Sequence, residues 1–175
     1  MKLNLEVKNN KLVGYRNRGM SFEKEIDESN RFYEENNIAL ITKRATPIKV
    51  KKVENDLIVE AKFSETSYLD FDGVYNGEYI AIEAKETRED KYFPLSNLRD
   101  IQVLHIKKLV SLNAKVFLFV NFVNINKYYL LPGSKLIEFI NGNERKSIPI
   151  EYFDRNGHEV PRTLRPPLDY LKFIK

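Results

Sequence analysis

The chain has 175 residues, 42% of them hydrophobic, with 29 basic against 25 acidic side chains for a net charge of +4. That length suffices for one domain with a core of its own, and the mild basic excess is compatible with a polyanionic partner. Cysteine is absent and His105 and His158 are the only histidines, which excludes disulfides, thiol nucleophiles and cysteine-rich zinc sites and leaves oxygen atoms to hold a metal. Oxygen donors suit hard cations such as Mg²⁺, with Mn²⁺ as a substitute, and these ions travel with phosphates. The longest apolar run, Val116 to Val120, is far shorter than the roughly 20 residues of a membrane-spanning helix, and the first residues lack a signal-peptide pattern. The expectation is a soluble, cytoplasmic protein with no membrane partner.

Residues 1–20 are polar and rich in Asn, Lys and Arg, and read as a flexible basic arm ahead of a folded domain over 21–175. Arg16 and Arg18 in that arm fit either phosphate contacts or solvated surface. Ser21 can cap a helix to about Asn37, with Glu23 and Glu25 at its positive end and Phe22, Ile26 and Tyr33 on one face. Ile38 to Thr42 reads as a buried strand. A basic hairpin follows, spanning about 47–63 and turning at Asn55-Asp56; Lys49, Lys51 and Lys52 suit phosphate contacts or a lysine-protected edge. A second hairpin, Leu69 to Tyr75 and Glu78 to Lys85, turns at Asn76-Gly77, where both residues tolerate positive φ.

Beyond Pro94, a helix is predicted over 96–112 with Ser96 as its cap. Lys115 to Val123 is a continuous apolar run of the buried-strand kind, pairing with Lys127 to Leu131; Ser134 to Ile140 reads as a short helix and the remainder as loops before a closing segment over Leu168 to Ile174. This order predicts an α/β domain, a central mixed β-sheet flanked by helices.

In the second hairpin, strand alternation places Asp70 and Asp72 on one face opposite Leu69 and Phe71, and likewise sets Glu83 and Lys85 opposite Ile82 and Ala84. A two-residue turn makes paired positions sum to about 153, so Asp70 falls across from Glu83. Two adjacent carboxylates invite a divalent cation, and Lys85 lies on the same side. Phosphodiester hydrolysis needs this kit: a metal to polarise the phosphoryl oxygen and acidify a water, and a cation to steady the charge on phosphorus. The spacing Asp-x₁₂-Glu-x-Lys matches the P-D/(D,E)-x-K nuclease signature. A solvated strand face with an ion pair fits the same letters.

Asn17-Arg-Gly-Met20 before an acidic helix, Asp70-x-x-Gly-x-Tyr75, Glu83-Ala-Lys-Glu-Thr87, Phe93-Pro-Leu-x-Asn97 and Asp100-x-Gln102 resemble, in order and spacing, the RecU Holliday-junction resolvases. The resemblance implies a type II restriction endonuclease-like fold with a projecting hairpin stalk over about 47–63, which enters the centre of a four-way junction. It implies a homodimer that nicks two opposing strands, with a recombinase or a branch-migration helicase as further partners. Matched residue by residue, Asp70, Glu83 and Gln102 correspond to Mg²⁺ ligands and Lys85 to the transition-state stabiliser. Tyr68 stands where the family usually has a ligating threonine, and can replace it only through its backbone carbonyl. Glu23 matches an accessory glutamate, although the helix dipole alone also explains a glutamate there. His105 reads as a core or dimer-edge histidine, and the aromatic pair Tyr128 and Tyr129 as core. Another restriction-type or repair endonuclease, and a non-catalytic junction-binding protein, are the competing expectations.

Overall fold

A computed structural model describes residues 13–45, 48–63, 69–142 and 144–175. Helix α1 spans Val13–Glu35 and leads into strand β1, Ala39–Lys43, through Asn37 at positive φ. The helix therefore begins before Ser21, and residues 13–20, with Arg16 and Arg18, continue its backbone instead of belonging to an irregular arm; residues 1–12 lie outside the described part. Gly14 and Gly19 weaken this first stretch but no proline interrupts it, and extending an anchored helix costs far less than nucleating one.

Hairpin β2–β3, Ile48–Glu54 and Leu57–Phe63, turns at Asn55 and Asp56, both at positive φ, and among the described residues its strands pair only with each other. Hairpin β4–β5, Phe71–Tyr75 and Glu78–Thr87, turns at Asn76 and Gly77 with φ of 51° and 78°, the geometry of a type I′ turn. Short β6, Tyr92–Pro94, and a 3₁₀ turn at Leu95–Asn97 precede α2, Asp100–Ser111. Ser96 thus sits in the turn, and Arg99 precedes the helix because its N–H is held by the Gln102 side chain, 3.0 Å away. Strands β7, Lys115–Phe122, and β8, Lys127–Pro132, are followed by α3, Gly133–Gly142, then β9, Ser147–Pro149, α4, Ile150–Asn156, and β10, His158–Glu159. A 3₁₀ turn at Leu171–Phe173 closes the chain.

The main sheet runs β1-β4-β5-β7-β8-β10; β5 and β7 are parallel and the other neighbours antiparallel, giving the expected mixed sheet. Each face buries its own core. Phe22, Ile26 and Tyr33 of α1, with Tyr170 and Leu171 near the C-terminus, pack on Phe71, Ile82 and Phe119. Ile106 of α2, Leu136 and Phe139 of α3 and Phe153 of α4 pack on Leu118, Val120 and Tyr129 on the other side. Tyr128 and Tyr129 are both buried.

Gly73 carries the β1–β4 pairing: a Cβ there would lie 1.9 Å from the carbonyl oxygen of Leu40, so only glycine lets the strands meet. Two expectations fail locally. Strand β1 is an edge among the described residues, with only Ile41 buried. Leu69 precedes β4 and enters the α2 core while Phe71 enters the α1 core, so strand alternation does not reach back to Leu69. Strands β6, β9 and β10 and helix α4 carry no period long enough to read; α4 forms because Phe153 buries itself among Phe93, Phe122 and Tyr129. No helix among the described residues is long and apolar enough to cross a membrane.

Candidate active site

The β4–β5 register pairs Phe71 with Ile82 and Tyr75 with Glu78, as the type I′ turn dictates. The carboxyl of Asp70, just ahead of β4, accepts the backbone N–H of Ala84 at 2.9 Å, which ties it beside Glu83. Glu83 has no exposed surface. Its Oε1 accepts from both Lys85 Nζ and Gln102 Nε2, whereas its Oε2 is buried without a partner. Lys85 retains 21% side-chain exposure, so its ammonium can still face a substrate.

Burial, reinforced by the Asp70 charge, pushes the Glu83 carboxyl up to about 7; Lys85 opposes this. Burial likewise raises Asp70, with Lys85 and the Ala84 N–H pulling the other way. Two desolvated carboxylates that resist ionising together, one with an orphaned oxygen, form an environment a cation would relieve. No group of three or more His, Asp or Glu among the described residues can hold a metal. A bound ion would therefore draw on Asp70, Glu83, backbone and water oxygens, a set that suits a hydrated hard cation.

Other predicted residues divide. Gln102 reaches the site from α2 but presents its amide nitrogen to Glu83, because its oxygen caps Arg99. In this arrangement it holds Glu83 in place and is not itself an oxygen donor. Glu23 is close enough for its charge to raise Asp70, yet its carboxylate is paired with Lys43 at 2.6 Å. Tyr68 lies outside the described residues. Lys49, Lys51 and Lys52 stand on the β2–β3 hairpin, with Lys51 paired to Glu60 and Lys52 to Glu54. His105 is half-buried on α2, its pKa lowered by burial and then by Arg44.

Asp72 does not add free charge to the Asp70–Glu83 pair. Arg44 pairs with it and the Tyr79 hydroxyl donates to it at 3.0 Å. Sequence reasoning missed Arg44 because only the β1–β4 pairing brings it there; its N–H also donates to the Asp70 carbonyl at 2.8 Å.

The family model for Recombination protein U matches residues 17–175. The Holliday junction resolvase RecU of Staphylococcus aureus strain JH9 is 41% identical over 170 residues, covering 93% of this chain and 82% of the relative, and that of strain MRSA252 matches to the same extent. Among solved structures, the Archaeoglobus fulgidus Holliday junction resolvase Hjc aligns with a TM-score of 0.47 and 16% identity, over 81% of this chain and 95% of that one. A match from residue 17 to the last residue, joined to 41% identity with curated relatives, makes this chain a member of the RecU family.

Proposed function

We infer that this chain is a Holliday-junction resolvase, a metal-dependent endodeoxyribonuclease that nicks opposing strands of four-way DNA junctions in recombination and repair. The observation that carries the reading is the buried Asp70–Glu83 pair, with its orphaned oxygen, beside Lys85.

Asp70 and Glu83 would hold Mg²⁺, or Mn²⁺ in its place, with Tyr68 as a further backbone donor. When bound, the ion supplies polarisation of the phosphoryl oxygen and a more acidic water. A water oxygen forms a new bond to phosphorus and gives its proton to solvent. Lys85 donates to the non-bridging oxygens as charge builds there, and one backbone P–O bond breaks, its leaving oxygen taking a proton from solvent. Gln102 keeps Glu83 aligned, and Glu23 with Lys43 sets the charge behind Asp70. The type II restriction endonuclease-like fold agrees with the mixed sheet and a catalytic hairpin at its centre.

The β2–β3 hairpin suits the stalk that enters the junction, with Lys49, Lys51, Lys52, Arg16 and Arg18 on phosphates. One chain carries one such site, so paired nicks require two copies. Exposed Leu40 and Val74, directly paired across β1 and β4, and exposed Leu104 on α2 offer apolar surface for a homodimer. A cytoplasmic place, and work alongside a recombinase or a branch-migration helicase, follow from the same reading.

The test is cleavage of a synthetic four-way junction with and without Mg²⁺, against linear duplex of the same arms. Paired, Mg²⁺-dependent nicks confined to the junction are expected. Comparable duplex cutting points instead to a general endonuclease, and binding without cleavage to a structural protein.

A further inference from the structure

We propose that Arg99 is a DNA-backbone anchor of this active site, its guanidinium gripping a phosphate of the cleaved strand next to the one being hydrolysed. This rests on the reading of Asp70, Glu83 and Lys85 as the hydrolytic site.

Of the cations on the elements around the two carboxylates, three are already engaged. Lys85 pairs with Glu83, Lys43 with Glu23 and Arg44 with Asp72. Arg99 is exposed and forms no ion pair among the described residues, its neighbour Asp100 included. Its position is nevertheless fixed: its backbone N–H donates to Gln102 Oε1 at 3.0 Å, and the same amide donates to Glu83. Arg99 thus stands two hydrogen bonds from Glu83, at the edge of the site. The side chain plays no part in that hydrogen-bond chain, so a structural role does not require arginine. A guanidinium fork at the rim, with Lys85 as the inner cation, matches a phosphate that accepts two parallel hydrogen bonds.

The experiment compares wild type, Arg99→Ala, Arg99→Lys and Lys85→Ala. It measures junction binding across a salt series without divalent cation, single-turnover cleavage with Mg²⁺ at sub-saturating protein, and thermal unfolding. Arg99→Ala should flatten the salt slope by about 0.9, the signature of one lost phosphate contact, and slow cleavage about tenfold at unchanged unfolding temperature and Mg²⁺ requirement. Arg99→Lys should restore the slope while recovering cleavage only in part, since a point charge replaces the fork. Lys85→Ala should lose cleavage and keep the binding slope. An unchanged slope and rate in Arg99→Ala overturns the proposal, as does a lowered unfolding temperature or altered Mg²⁺ requirement, which assigns Arg99 to upkeep of Glu83. If wild type itself cleaves no junction, the reading of the hydrolytic site fails, and this inference with it.

Discussion

Two hairpins built on the same local rules end in opposite environments. Both β2–β3 and β4–β5 turn through two residues at positive φ and pair as antiparallel strands. Yet β4–β5 sits inside a six-stranded sheet with Ile80 to Ala84 buried, while every β2 residue is exposed and Ile48, Val50, Leu57 and Val59 face solvent. Turn chemistry makes a hairpin; the neighbours decide whether it becomes scaffold or probe. A two-stranded hairpin is marginal alone in water, and the β2–β3 pair, exposed along all of β2, has little burial of its own to hold it. Hairpin β4–β5 has its surroundings built in, and there burial orphans a carboxylate oxygen and raises Glu83.

This contrast predicts that changes in β4–β5 remove chemistry or folding, whereas changes in β2–β3 alter substrate choice. The largest expected effect is on cleavage: Asp70→Asn and Lys85→Ala should each lower single-turnover rates by roughly 10²- to 10³-fold or more, with junction binding retained in a gel-shift assay. Loss of binding in parallel would mean that these residues serve the fold. Next comes Gly73→Ala, which drives a methyl into the Leu40 carbonyl; urea unfolding should register a loss of about 3 kcal/mol or more. A stability equal to wild type would show that β1 can give way.

Deleting residues 49–62 should leave the unfolding midpoint nearly unchanged and erase the preference for junctions over duplex in competition binding. A collapse in stability would make the hairpin part of the core after all. The smallest effect is a pH dependence. Burial and the Asp70 charge hold the Glu83 carboxyl at about 7, above its ordinary 4.5, so the folded chain binds this proton more tightly than the unfolded one. In chelator, this contribution to stability is fully present below about pH 4.5 and is lost as pH rises through about 7. Chemical unfolding from about pH 5 to about pH 8 should show that slope in wild type and not in Glu83→Gln.

Much of the site was legible beforehand because a strand pair with a two-residue turn is a local object. Asn76-Gly77 sets the register, the register sets Asp70 beside Glu83, and period-two alternation puts Lys85 on the side of Glu83. Strands β2 and β3 were legible for the same reason, down to Asn55-Asp56. The start of α1 was not, since glycines and polar residues leave no period to read, and neither was α4, whose seven residues exist through Phe153 packing.

Sequence by itself therefore determined both hairpins and the adjacency of Asp70, Glu83 and Lys85. Tertiary structure alone decided the rest: that Arg44 and Tyr79 neutralise Asp72, that Gln102 offers nitrogen to Glu83 while its oxygen caps Arg99, and that Lys43 holds Glu23. Those contacts join residues from different elements, and their strength depends on how far burial has stripped away water. No local spacing encodes that quantity.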